Sequence, residues 1–113
     1  MQRRFRLTRS EDFERARRFG KSYPHRLVVL VVRENESGQR RVGVAAGRTV
    51  GNAVKRNRAK RLLRAAMQSL VSSLVPGWDV VLIARPPLAS SSCPEVRAVL
   101  VGLLRRAELV LVS

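Results

Sequence analysis

The sequence has few of the residues from which disulfides, metal sites and catalytic centres are built. It contains one cysteine, Cys93, and one histidine, His25, which excludes an internal disulfide and leaves no zinc-ligand set. Only 8 residues are acidic, and most of them fall in predicted helix starts or turns. Acid–base and metal-dependent catalysis both need positioned carboxylates or histidines. We therefore expect a binding protein with no catalytic and no metal-ligating residues of its own.

Aromatic residues and long apolar runs are also scarce. Aromatics make up 4% of the chain, so the core must be built from Val, Leu, Ile and Ala. No apolar run approaches the roughly 20 residues that a membrane span needs, and the MQRR start lacks the apolar segment and cleavage site of a signal peptide. We expect a cytoplasmic protein with no membrane partner.

Positive charge is what the sequence has in excess. It carries 23 Lys and Arg against 8 Asp and Glu, for a net charge of +15. Hydrophobic residues form 45% of the 113 residues, which indicates one folded domain, residues 1–113, rather than a disordered basic tail. A folded domain this cationic is expected to bind a polyanion, and nucleic acid is the default partner.

The charge is concentrated in residues 47–67, GRTVGNAVKRNRAKRLLRAAM. Read as a helix, this segment has an apolar stripe at spacings of four and three: Ala59, Leu63, Ala66 and Leu70. The opposite face is polar and basic: Asn57, Arg58, Arg61, Arg64 and Gln68. Gly51 and Asn52 are typical of the turn into such a helix. No acid occurs between Glu36 and Asp79, so the cations lack i,i+4 partners, which favours polyanion binding over a merely solvated face.

The run GNAVKRNRAKRLLRAA, with Arg56, Asn57 and Arg58 at its centre, resembles the signature of the bacterial ribonuclease P protein component. The resemblance extends to SEDFERARRFGKSYPHR before it and to GWDVVLIARP after it. These three blocks occur in order and at matching spacing, and they cover most of the chain.

The residue patterns predict a small α/β domain with helices against one mixed sheet. Thr8 and Glu11 have capping-box spacing, with Ser10 as a second candidate cap, for a helix that ends at Gly20. The later elements are an extended segment or edge strand at 21–26, strands at 27–32, 41–46 and 79–85, the basic helix, and a last helix capped within 90–94. The strand at 41–46 is expected to form a hairpin with the strand at 27–32. Residues 1–7 are expected to form a flexible arm, and residues 108–113 have no assignment, since a frayed helix end and an added strand both fit.

The family resemblance implies the order α-β-β-β-α-β-α, an α+β two-layer sandwich. It also implies that the strand–helix–strand crossover of residues 41–85 is left-handed, against the usual rule. The periodicity of the sequence does not predict the handedness of this crossover.

The resemblance further implies the protein subunit of a ribonucleoprotein endonuclease. A large RNA subunit would cleave precursor tRNA at its 5′ end with Mg²⁺ held mainly by RNA, and the protein would bind no cofactor and need no obligate protein partner. Residues matching the helix signature would bind the RNA subunit: Lys55, Arg56, Asn57, Arg58, Lys60, Arg61 and Arg64. Residues matching the family's cleft would bind the single-stranded 5′ leader: Phe13, Arg17, Arg48, Asn52 and Arg85.

The chain departs from the family pattern at the cleft. Arg17 stands where the family often has a second aromatic, and Phe19 is the alternative replacement. The strand at 27–32 has only aliphatic residues, and the segment at 47–49 keeps one cation, Arg48. Phe13 itself has two interpretations, a stacking surface for a base or a core residue.

Two other functions fit the charge. A structural RNA-binding protein of ribosomal type would explain the basic helix equally well, but it would not explain an aromatic in the first helix beside a basic segment between two strands. An architectural protein for double-stranded DNA lacks an obvious recognition helix or dimer seam.

Overall fold

A four-stranded mixed sheet carries the fold in the computed structural model of the chain, which describes residues 3–110. The helices and strands follow the order α1 Ser10–Phe19, β1 Lys21–Pro24, β2 Val28–Glu34, β3 Arg41–Ala46, α2 Ala53–Gln68, β4 Trp78–Ala84 and α3 Cys93–Arg106. Short 3-10 helices lie at Arg3–Phe5, Arg48–Val50, Val71–Ser73 and Pro86–Ser90. The predicted fold class and element order are confirmed.

The strands are arranged β1-β2-β4-β3. β2 pairs antiparallel with β1 and with β4, whereas β3 pairs parallel with β4. The predicted β2–β3 hairpin is therefore wrong, because β4 lies between the two strands. Residues 80–82 of β4 are completely buried, and a strand that is apolar on both sides belongs at the centre of a sheet. Pro24 lies in an edge strand, as predicted.

The two faces of the sheet are covered unequally. One face, formed by the even-numbered residues of β2, β3 and β4, packs under α2 and α3 around Leu63 and Leu100, both 0% exposed. The other face packs under α1 alone, where the buried cluster contains Leu7, Ala16, Val31 and Val81. We call these the covered face and the open face.

The helix starts show where local signals determine structure. α2 begins after Asn52, whose side chain accepts a hydrogen bond from the Lys55 amide at 3.0 Å. Gly51 precedes it at φ 135°, a conformation that side chains disfavour. α3 begins after Ser92, whose hydroxyl accepts from the Glu95 amide at 3.3 Å. Both starts were predicted.

The capping box predicted for α1 is wrong. The N-cap residue is Arg9, whose side chain makes no capping hydrogen bond. Upstream, the Leu7 amide donates to the Val42 carbonyl at 2.8 Å and Leu7 is buried. Because this contact holds the chain along the edge of β3, Thr8 stays outside the helix and Ser10 is its first residue.

The predicted terminal arm and tail both pack on the domain where they are described. Arg6 forms an isolated parallel bridge with Val42, so residues 4–7 are not a flexible arm; residues 1–2 lie outside the described part. At the other end, the Val75 amide donates to the Leu109 carbonyl at 2.8 Å and Val110 bridges Leu74. The described start of the tail thus adds a strand-like contact, and residues 111–113 lie outside the described range.

Each helix formed by residues 3–110 is too short or too polar to cross a membrane.

Candidate nucleic-acid interface

The predicted stripe of α2 is buried, and its cations separate into two groups. Ala59, Leu63, Ala66 and Leu70 are each 5% exposed or less. Asn57, Arg58 and Arg61 are exposed and border a shallow groove with Val54, Leu62 and Ala65. We call the exposed trio the outer row. Of the remaining predicted RNA-subunit ligands, Lys55 is exposed in the first turn, whereas Arg56, Lys60 and Arg64 are half-buried.

Val54 is a member of the groove that the sequence analysis missed. Its side chain is 72% exposed, beside the guanidinium groups of the outer row. The only signal in the sequence is its place on the helical wheel, opposite the apolar stripe. An exposed aliphatic side chain next to arginines can contact the apolar parts of a nucleotide while the arginines bind phosphate.

Lys60 and Arg64 face the edge of β3, not the outer surface. They line a notch of about 290 Å³ with Arg6 and Phe13, over the backbone of residues 42–44. Sequence analysis placed Arg64 with Arg61 on one face, and the structure separates them. Burial first, and the neighbouring Arg6 charge second, lower the pKa of Arg64. The guanidinium remains charged at physiological pH.

Phe13 is half-buried and lies directly on β3. A Cβ added to Gly43 would stand 2.5 Å from Cζ of the Phe13 ring, so the absence of a side chain at Gly43 makes room for the ring. The ring borders the notch on one side and the surface of α1 on the other. Phe13 is therefore neither a fully buried core residue nor a fully exposed one, because part of the ring packs and part remains exposed.

Arg17, not Phe19, shares a surface with Phe13. Arg17 is exposed and lines a hollow on α1 together with Phe13. Phe19 is 67% exposed and lies on a different side of α1, where the Arg18 and Arg33 guanidiniums are 5.8 and 5.6 Å from its ring. Of the two candidate replacements for the second family aromatic, Arg17 lines the hollow that Phe13 borders and Phe19 does not.

Part of the open face is not covered by α1, and cationic residues lie where its strands end. Val29, Ile83 and Ala45 are paired neighbours in three strands and are half-buried. We call them the open row. Arg48 and Arg85 follow the adjacent carboxyl ends of β3 and β4 and are exposed, and Asn52 lies four residues beyond Arg48. The open row lies between α1, with Phe13 and Arg17, and the two arginines beyond the strand ends, Arg48 and Arg85, and we call this series the strip. Asn52 instead caps α2, which packs on the covered face.

A polar network attaches α1 to the opposite end of the sheet. Asp79 is 3% exposed and accepts from Arg41 Nε at 2.7 Å, from Arg41 Nη2 at 3.0 Å and from Asn35 Nδ2 at 2.9 Å. Arg41 Nη1 also lies 3.6 Å from the Asp12 carboxylate on α1. The hydrogen bond to Asp79 raises the pKa of Arg41 more than burial lowers it. The network links Asp12, the residue before Phe13, to the sheet.

The remaining candidate reactive groups have structural contacts. His25 Nδ1 accepts from the Leu27 amide at 3.0 Å in the β1–β2 turn, and Cys93 is the half-buried first residue of α3. Within the described part of the chain, no group of three or more His, Cys, Asp and Glu side chains is placed to hold a metal ion.

Comparisons with known proteins agree on one family. The family model described as Ribonuclease P matches residues 1–108. The chain is similar to the ribonuclease P protein components of Oceanobacillus iheyensis, at 35% identity over 97% of this chain and 92% of the relative, and of Dehalococcoides mccartyi, at 39% identity over 93% and 86%.

Solved structures give the same result. The RNase P protein of Staphylococcus aureus superposes with a TM-score of 0.82 at 28% identity, over 94% of this chain and 97% of that one. The protein from Thermotoga maritima superposes with a TM-score of 0.78 at 30% identity, over 89% and 96%. A Staphylococcus aureus mutant described as defective in mRNA degradation activity has a TM-score of 0.83 at 26% identity, over 94% and 90%.

Proposed function

The chain belongs to the ribonuclease P protein family, and from this premise we propose that it is the protein subunit of a ribonucleoprotein that removes the 5′ leader from precursor tRNA. The observation that carries the proposal is the presence of two separate cationic surfaces on one small domain. One is the outer row of α2, and the other is the strip from Phe13 to Arg85. A protein that holds a catalytic RNA and its substrate together needs two such surfaces.

The outer row is suited to docking on the RNA subunit. Arg58 and Arg61 are exposed on a helix that is anchored by its buried stripe, so their guanidinium groups project from a rigid element. Guanidinium binds phosphate oxygens through paired hydrogen bonds. Folded RNA presents mainly phosphates and sugar hydroxyls to a protein surface, which matches a row of arginines without a deep pocket.

The strip on the open face is suited to single-stranded leader. Phe13 offers a partly exposed ring on which an unstacked base can stack, a contact that tolerates any base. Arg17, Arg48 and Arg85 are exposed along the same strip and can bind the phosphates. Sequence tolerance is what processing many different leaders requires.

We assign the cleavage chemistry to the RNA subunit and to Mg²⁺ held mainly by that RNA, and no cofactor to the protein. The protein contributes cations that offset the repulsion between two polyanions. Because its partners are the RNA subunit and precursor tRNA, we place the protein in the cytoplasm. No observation favours the ribosomal-type alternative.

The test is precursor cleavage by the RNA subunit with and without the purified protein, across a magnesium series. We expect the protein to raise cleavage most at low magnesium, where fewer metal ions screen the phosphates. The RNA-free protein should cleave neither precursor tRNA nor an unstructured mRNA, a substrate included because one structural neighbour is linked to mRNA degradation. Precursor cleavage by RNA-free protein would contradict the assignment of the chemistry to RNA.

Docking through the outer row has its own test. Arg61→Ala should weaken binding to the RNA subunit and make its salt dependence shallower by up to about one unit of log–log slope. The matched control is Arg105→Ala, since Arg105 is an exposed arginine on α3 that belongs to neither surface. Equal slopes for wild type and Arg61→Ala would mean that Arg61 is only solvated.

A further inference from the structure

The notch at the edge of β3 brings together residues that family resemblance assigns to two different ligands. Phe13 belongs to the leader set, and Lys60 and Arg64 belong to the RNA-subunit set, yet they line one cavity. Arg6, which neither set includes, lines the same cavity.

The backbone of Arg6 is held beside the notch, whereas its side chain is exposed. Its residue pairs with Val42 in a parallel bridge, and the next residue, Leu7, is buried and donates its amide hydrogen to the Val42 carbonyl. The backbone that carries Arg6 thus adds to the edge of β3. Because this segment is already ordered, ligand binding by Arg6 costs side-chain entropy but little backbone entropy.

The charges in the notch have no counterpart. Of the described residues that line it, three are cationic and none is acidic. The ion pairs found among residues 4–110 use Arg15 and Arg41 instead. Arg64 is half-buried, and both its burial and the nearby Arg6 charge oppose its ionisation. Like charges gathered in a partly desolvated site cost stability, and an anion bound between them would offset that cost.

One wall of the notch is aromatic, which identifies the kind of anion. The Phe13 ring lies over Gly43 beside the cations, so a base can stack on the ring while its phosphate meets Arg6 and Arg64. A single strand has such unstacked bases, whereas the bases of a folded RNA helix are stacked and paired. The occupant is thus a single-stranded nucleotide rather than helical RNA.

We propose that the notch binds one phosphodiester of the precursor's leader strand through Arg6, Lys60 and Arg64, with the adjoining base on Phe13. This inference rests on the proposed function and extends it, because it moves Lys60 and Arg64 from the RNA-subunit surface to the leader surface and adds Arg6.

The experiment compares reconstituted holoenzymes carrying wild-type protein, Arg6→Ala, Arg64→Ala or the control Arg4→Ala. Arg4 lies in the same segment but lines a different hollow, with Phe5 and residues 38–40. We expect Arg6→Ala and Arg64→Ala to weaken precursor binding about tenfold and to make its salt dependence shallower by about 0.7 units of log–log slope. Binding of mature tRNA and of the RNA subunit should match wild type.

A second experiment identifies which leader phosphate the notch binds. A series of precursors carries one uncharged methylphosphonate linkage, each at a different leader position. At one position, this linkage should lower the affinity of the wild-type holoenzyme about tenfold. At the same position, it should not lower the affinity of the Arg6→Ala holoenzyme further. Melting temperatures show whether each variant is folded. Should Arg6→Ala fail to fold, Arg6→Gln and Arg64→Gln give the same comparison.

The outcomes distinguish a failure of the proposed leader function from a failure of the notch assignment. If wild-type holoenzyme binds precursor and mature tRNA equally, the proposed leader function fails. If wild type discriminates and the folded Arg6 and Arg64 variants discriminate as well, only the notch assignment is overturned. Weaker docking of these variants on the RNA subunit, with leader discrimination intact, also overturns it, because the phosphate would then belong to the RNA subunit.

Discussion

The two faces of the sheet are built from similar aliphatic residues but are buried to different extents. On the covered face, Leu30 and Leu82 are 0% exposed beneath α2 and α3. On the open face, Val29 and Ile83, their neighbours in sequence, remain half-buried. The covered face supplies stability, and the open face keeps apolar surface available for a ligand.

The difference follows from size. Four strands about 4.8 Å apart make a sheet roughly 15 Å wide, and a helix with its side chains is about 10 Å across. α2 and α3, with 16 and 14 residues, together cover one face. α1, with 10 residues, is about 15 Å long, whereas β2 and β4, with 7 residues each, are about 23 Å long. A single short helix therefore leaves part of its face uncovered.

The largest expected effect is on the covered face. Leu63→Ala removes a fully buried side chain and should lower the free energy of unfolding by about 2–5 kcal/mol, measured by chemical denaturation. At a temperature where the variant is folded, the ratio of precursor to mature tRNA affinity should stay at its wild-type value. Loss of that ratio would show that the two faces are not independent.

A smaller loss is expected where polar contacts attach α1 to the sheet. Asp79→Asn removes the charge that pairs with the partly exposed Arg41 and should cost about 1–3 kcal/mol of unfolding free energy. Because the same network reaches Asp12, leader discrimination should fall too. Asp12→Asn, which breaks only the 3.6 Å contact, is the control and should cost less. Unchanged stability of Asp79→Asn would mean that apolar packing alone holds α1.

The smallest effect on stability is expected under the Phe13 ring. Gly43→Ala places a methyl group 2.5 Å from the ring Cζ, so the ring must move, at a cost of about 1 kcal/mol. Precursor affinity should change while mature tRNA affinity does not. Gly102→Ala is the matched control, because a Cβ there meets nothing within 4 Å and should stabilise α3 by about 0.5–1 kcal/mol. If Gly43→Ala and Gly102→Ala have the same effect on precursor affinity, the position of the Phe13 ring does not affect leader binding.

Local patterns in the sequence predicted the elements well. The apolar run of β2, the stripe of α2, the turn into α2 at residues 51–52 and the start of α3 within residues 90–94 each depend on neighbours within a few residues. The failures involve distant contacts. The insertion of β4 between β2 and β3 depends on a strand more than thirty residues away, and the start of α1 depends on the pairing of Leu7 with Val42.

The candidate site shows the same division. Helical spacing identified the cations of α2 but could not separate Arg61, which is exposed, from Arg64, which faces the edge of β3. That distinction depends on where β3 and the N-terminal segment lie beside the helix. Arg6 was missed for the same reason, since alternating basic and apolar residues at 1–7 resemble a flexible arm until the pairing with β3 is known.

The most direct test of the open face as the leader surface is the effect of Phe13→Ala on tRNA binding by the holoenzyme. The free energy of precursor binding should become less favourable by about 1–3 kcal/mol. Mature tRNA, which has no leader, should bind the variant as tightly as it binds wild type. Phe19→Ala is the matched control, because Phe19 is an exposed aromatic on another side of the same helix and should leave both affinities unchanged. Equal losses for precursor and mature tRNA with Phe13→Ala, or an equal effect of Phe19→Ala, would contradict the assignment.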